Sequence, residues 1–173
     1  MTTEKMAMQR DLVGRGIIQW QTARPDIDSS GKEVIGRLIH LDTLVLRRVE
    51  QVLQPFQLSY FEYAVLATLR VATEPHGLSP NALIDRLLCS SGGLSNVVKR
   101  LEGRGLLNRS ADPEDGRGVL VQLTGEGKAL ADRAMPIHAQ TERALVAGLS
   151  KEEQATLAGL LAKMLGASAK YIS

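Results

Sequence analysis

One cysteine, Cys89, stands alone in 173 residues, which excludes an internal disulfide framework and any cysteine-built metal cluster within one chain. Aromatic residues are nearly as scarce. Two Phe, three Tyr and one Trp are too few for the stacking platforms that hold single-stranded nucleic acid. No apolar run approaches the roughly 18 residues of a membrane span. The first residues, MTTEKMAMQRDL, lack the apolar centre of a signal peptide, so a cytoplasmic protein with no membrane partner is expected. His40, His76 and His138 show no ligand spacing, so neither a structural metal nor a cofactor is expected. SSGG has no phosphate-loop lysine and no serine lies in G-x-S-x-G, so the chain does not read as an enzyme. No fixed-period repeat and no low-complexity tract interrupts it.

What is present is a globular composition, 44% apolar and 23% charged, with a net charge of +2 and a pI near 8.8. That mildly basic balance permits a nucleic-acid partner without requiring one. Residues 3–22 read as a first helix closed by ARPDIDSSG, because Pro25 disfavours helix at Arg24. Val34, Ile35, Leu38, Ile39, Leu41, Val45, Leu46, Val49, Val52 and Leu53 then recur at spacings of three and four, the pattern of a long helix that Pro55 stops. A third helix starts at Ser59, with Glu62 three residues on, and runs to about Val71. Beyond Glu126, one helix carries Pro136, and another begins at Ser150 with Glu153 completing its cap.

The middle of the chain is more specific. LSPNALIDRLL opens on Ser79 as cap and Pro80 at the first helical position, CSSGG makes a turn, and LSNVVKRLEGRG forms a second helix ended by Gly105. Helix, short turn, helix is the outline of a helix-turn-helix. With Leu94, Val97, Val98 and Leu101 turned inward, Ser95, Asn96, Lys99 and Arg100 face out, behind Ser90, Ser91 and Gly93 at the helix start. Small residues let a helix N-terminus approach phosphates, and Asn, Lys and Arg reach base edges in a major groove. From 95 to 109 four cations (Lys99, Arg100, Arg104, Arg109) stand against Glu102. A solvated helix face would look the same, but a hairpin follows. LLNRSA and GVLVQLT alternate as two strands joined by DPEDGR. Arg117 near its tip gains little from burial and suits insertion into a narrow minor groove, with Asp115 orienting it.

The run from Ser90 to Gly127 resembles the MarR family of winged helix-turn-helix regulators; Asp115, Arg117, Val119, Val121, Leu123 and Thr124 match its wing pattern. The resemblance implies a mainly α fold with a small two-stranded wing. It implies a homodimer on double-stranded DNA at a pseudopalindromic operator, usually repressing. It also implies a division into 1–57 (N-terminal helices for dimerisation and a cleft wall), 58–124 (the winged DNA-binding lobe) and 125–173 (C-terminal dimerisation helices).

A narrower stretch, W-x-x-x-R-P-D-I-D from Trp20 to Asp28, is similar to the urate-responsive branch of that family, which binds its ligand through a Trp, an Asp and two Arg. Carried over, Trp20 and Arg109 match the Trp and the second Arg, but Ala64 and Val97 occupy the other two positions. A cleft that has lost an acid and a base suits urate poorly, since each unpaired polar group costs about 1–3 kcal/mol. A small organic acid, an aromatic carboxylate in particular, fits better, with Trp20, Tyr63, Arg109, Arg37 and His40 as further candidates. Plainer readings stand beside these. Trp20 packs the first helix, Arg37 is a surface ion-pair partner, His40 is a hydrogen-bonded core residue. Cys89 near a helix start gives an alternative, a redox-responsive regulator, against the plain reading of a small buried hydrophobe. A urate- or purine-responsive regulator is the other alternative.

Overall fold

The computed structural model describes residues 11–74, 76–113 and 118–168. Two compact units divide the chain between Arg48 and Val49.

In the first unit, α1 (Leu12–Ala23) starts at an aspartate. Asp11 is extended (φ −103°, ψ 167°), and its carboxylate accepts from the Gly14 amide at 2.8 Å. This corrects the expected continuous helix over 3–22: an acid that satisfies a first-turn amide fixes a helix start, and residues 1–10 lie outside the described residues. Arg24, held out of helical geometry by Pro25, closes α1 with its N–H donating to the Trp20 carbonyl at 2.8 Å. α2 (Lys32–Leu53) crosses α1 closely because Gly36 has no side chain; a Cβ there would stand 2.8 Å from Val13 Cγ1. The expected periodicity of α2 is present, but much of its apolar face is bare. Val34, Ile35, Ile39, Leu41 and Leu44 are exposed, and burial is reached at Val49 and Leu53.

The second unit takes in that last part of α2. A 3-10 turn, Gln54–Phe56, carries Pro55 and ends the helix. α3 (Tyr60–Val71) opens with the reciprocal cap read from sequence: the Glu62 amide donates to Ser59 Oγ at 3.2 Å and the Ser59 amide to Glu62 Oε2 at 2.9 Å. α4 (Pro80–Leu87) is capped by Ser79 and ends at Leu88 in left-handed geometry (φ 48°). α5 (Ser91–Gly103) is capped by Ser90 and buries Leu94, Val97, Val98 and Leu101. Gly105 (φ 70°) terminates it, its amide bonding the Glu102 carbonyl at 2.8 Å while the Leu106 amide reaches back to Leu101 at 2.9 Å.

β1 (Leu107–Ala111) and β2 (Val119–Leu123) pair antiparallel from Leu107↔Leu123 to Ala111↔Val119. Leu78 adds a one-residue bridge to Val121, with amide–carbonyl distances of 3.1 and 2.8 Å, which fastens the approach to α4 onto the wing's root. Thr124 then caps α6 (Gly125–Leu145), accepting from the Gly127 amide at 3.0 Å and donating to the Gly105 carbonyl at 2.7 Å. α6 packs on α3, where the His138 and Tyr63 rings stack at 4.5 Å. α7 (Lys151–Ser168) has the expected Ser150–Glu153 cap, and Leu157, Leu160 and Leu165 on it are exposed. Among the described residues no helix is long and apolar enough to cross a membrane.

Candidate nucleic-acid interface

α4, the turn at Leu88–Ser90 and α5 form the helix-turn-helix, and β1–β2 the wing beside it. Ser90, Ser91, Ser95, Asn96, Lys99 and Arg100 are all exposed, as their placement opposite the buried Leu94–Leu101 row requires. Gly93, at the same helix start, also takes part in the cap. Its amide donates to the Ser90 cap, and a Cβ there would meet Ser90 Oγ at 3.1 Å and Phe61 Cε1 at 3.9 Å, so its smallness serves packing and capping. Asp115 and Arg117 lie outside the described residues; the hairpin is closed just inside them by the Asp112 amide donating to the Gly118 carbonyl at 2.9 Å.

The cations of this region are less free than a charge count suggests. Arg100 Nε donates to Glu62 Oε1 at 3.1 Å. Arg104 donates to the carbonyls of Gln57 (2.8 Å) and Phe56 (3.4 Å), bracing the 3-10 turn. Arg109 on β1 pairs with Glu102 on α5 at 3.1 Å. Three of the four cations counted from 95 to 109 are therefore anchored within the lobe. Sequence reasoning missed Glu62 and Glu102 as partners. Glu62 is 38 positions from Arg100, and the one hint was that its capping role draws it inward.

Burial pushes the Glu62 carboxyl up, but the Ser59 amide, Arg100 and the Ser59 hydroxyl outweigh it and hold the group below its ordinary 4.5. A carboxylate depressed on folding contributes stability that is complete above its unfolded value and is lost as pH falls through the folded one. Urea midpoints of wild type and Glu62→Gln should therefore differ at neutral pH and converge as the solution is taken below the carboxylate range. A gap that stays constant with pH would remove this assignment.

The candidate ligand residues are spread over both units. In the first, Lys32 Nζ sits 3.7 Å over the exposed Trp20 ring. Arg37 donates to Asp11 Oδ2 (3.0 Å) and the Glu33 carbonyl (2.7 Å), and with His40, Leu12, Leu41, Leu44 and Arg47 it lines a cleft of about 520 Å³ that Trp20 does not line. In the second, Tyr63 is buried against His138, Ala64 is half-buried and Val97 belongs to the apolar core. Arg109 lines a cleft of about 150 Å³ with Pro80, Ile84, Ser91 and Ser95. Cys89 is half-buried beside the α5 cap, and among the described residues no cluster of three metal-ligating side chains occurs.

Residues 56–118, which span the helix-turn-helix, β1 and the segment leading to β2, match the MarR family model. The HTH-type transcriptional regulator PecS of Dickeya dadantii (strain 3937) is 36% identical over 84% of this chain and 88% of its own length. The chain belongs to the MarR family. Its fold carries that family's mainly helical architecture with a two-stranded wing. A mutant of MarR from Escherichia coli, solved in complex with operator DNA, superposes with a TM-score of 0.70 at 31% identity, over 80% of this chain and 99% of that one. Bordetella bronchiseptica BpsR, whose structure addresses regulation of DNA binding by 6-hydroxynicotinic acid, matches with a TM-score of 0.69 at 28% identity, covering 76% and 91%. MarR-family relatives of this kind are DNA-binding transcriptional regulators, some of them ligand-responsive.

Proposed function

We propose that this MarR-family chain works as a homodimeric repressor that grips a pseudopalindromic operator and lets go when a small aromatic carboxylate binds. In this reading residues 58–124 read DNA, through Ser90, Ser91, Ser95, Asn96 and Lys99 in the major groove and Arg117 in the minor groove, with Asp115 steadying Arg117. Residues 1–57 and 125–173 supply the dimer. The apolar residues left exposed on α2 and, separately, on α7 support that part, since apolar helix faces left uncovered mark interaction surfaces.

The observation that carries the effector half is the Arg109–Glu102 pair at the edge of a cleft bounded by α4, α5 and β1. A carboxylate entering there competes with Glu102 for one guanidinium, so its binding is coupled to how α5 is held. The volume, about 150 Å³, admits one substituted ring and little more. BpsR and its hydroxynicotinic acid offer a chemical precedent. Urate is disfavoured, because Ala64 and Val97 replace two of its polar partners and Val97 is closed within the core.

Gel shifts at fixed salt with benzoate, salicylate, 6-hydroxynicotinate and urate test the reading. At least one monocyclic carboxylate should release DNA, and Arg109→Gln should raise the concentration needed by about tenfold or more, the loss of one charged hydrogen bond. Equal sensitivity of wild type and Arg109→Gln would remove Arg109 from the effector site.

A further inference from the structure

We propose that Glu62 is a positioning residue for DNA reading, fixing the angle of the recognition helix α5 by holding Arg100, so that Arg100 serves the lobe's interior geometry instead of a phosphate. The proposal rests on the reading that α5 faces DNA and deepens it.

The two oxygens of one buried carboxylate are divided between two helices. Oε2 accepts from the Ser59 amide at 2.9 Å and the Ser59 hydroxyl at 3.1 Å, closing the start of α3. Oε1 accepts from Arg100 Nε at 3.1 Å, taking hold of the last turn of α5. The Glu62 side chain is only 10% exposed, whereas that of Arg100 is 56% exposed. The acid is thus the fixed member and the arginine the arm that reaches it. The neighbouring residue, Phe61, addresses the other end of α5, since a Cβ on Gly93 would lie 3.9 Å from its ring. Two consecutive residues of α3 thus lie toward the two ends of α5, Glu62 through an ion pair and Phe61 through apolar packing.

This arrangement puts a negative charge just beneath a surface that, in this reading, approaches a polyanion. A carboxylate with no positioning role would only repel phosphate, and removing it would tighten binding. A positioning carboxylate gives the opposite sign, because a helix held at the wrong angle loses its base-edge geometry.

The test uses the full-length protein, fluorescence anisotropy over a salt series, and two duplexes: one that the wild-type protein enriches from a random-sequence library, and a random one of equal length. Glu62→Gln keeps the capping chemistry, which glutamine also performs, but removes the negative charge that holds Arg100. It should weaken binding to the enriched duplex by about fivefold and leave the random duplex unchanged or slightly tighter. Arg100→Gln, made at an exposed position, should weaken the enriched duplex similarly with no change in salt slope, and the double substitution should be no worse than either single one. Arg100→Lys should fail to restore affinity, since lysine lacks the side-directed Nε donor. A Glu62→Gln protein that binds as well as or better than wild type overturns the proposal. So does a fall of about one in the salt slope for Arg100→Gln, or full rescue by lysine, either of which marks a direct phosphate contact. If the wild-type protein enriches no duplex, the DNA reading itself falls, a distinct outcome from a reversed sign.

Discussion

On the proposed homodimer, Leu157→Glu combined with Leu161→Glu is expected to yield a monomer whose affinity for a two-half-site duplex is lower by at least about a hundredfold. The size of the effect comes from the geometry of paired sites. Two lobes joined in one body bind the second half-site as an intramolecular event, and separating the lobes forfeits that advantage without touching a DNA-facing residue. The substitutions are placed on α7, where Leu157 is exposed, Leu161 half-buried and Leu160, one turn along, 61% exposed in the single chain. Little of the chain's own core is lost by charging them. Sedimentation velocity reads the mass and anisotropy the affinity. A dimer that survives both substitutions, or a monomer that binds undiminished, would mean that α7 is not the seam.

Alanine at position 77 is the other large effect. Gly77 sits at φ +91°, and a Cβ there would lie 2.3 Å from the Val121 carbonyl oxygen and 3.0 Å from its carbon. The backbone conformation alone strains an L-residue by about 1–2 kcal/mol. The overlap is with main chain, which cannot swing aside, so a further cost of about 1–3 kcal/mol follows. Together these come to about 3 kcal/mol and a fall in Tm of roughly 10 °C for a chain of this length. The bridge from Leu78 to Val121 is the first thing to break. Gly125→Ala is the control, because nothing lies within 4 Å of its added Cβ. Melting at one fixed protein concentration should separate the two variants. A Gly77→Ala protein as stable as the control would contradict the close approach.

How much of this could be read from the sequence follows the range of each interaction. The caps at Ser59, Ser79 and Ser150 were legible because a cap is decided within three residues. The wing was legible because alternation and a turn define a hairpin locally. Asp11 follows the same local rule and was available to it, but the apolar pattern running past it concealed the break. The Leu78–Val121 bridge joins positions far apart in the chain, and no spacing announces it. The partners of the basic residues were the hardest to read. Lys99, Arg100, Arg104 and Arg109 read as a basic patch, yet Glu62, two carbonyls and Glu102 hold three of them. A formal charge is a property of composition, and its availability to DNA is decided by folded neighbours. In the candidate effector set, Arg37 and His40 share one cleft that Trp20 does not line, a grouping that helical spacing within α2 suggested for the first two alone.

Among the described residues, the ion pairs that tie α5 to other elements sit toward its end, Arg100 to Glu62 and Glu102 to Arg109, beside the hydrogen bonds around Gly105. Its front half is held by apolar packing, which prescribes no bond direction. The helix is thus mounted like a tuning peg, gripped at the shank and free to answer at the tip. From Arg100 back to Ser91 the rod is about 14 Å long, so a turn of about 10° at the grip carries the tip some 2–3 Å. The stacking interval of bases along one strand is about 3.4 Å. A disturbance too small to unfold anything is therefore enough to bring the tip most of the way to the neighbouring rung.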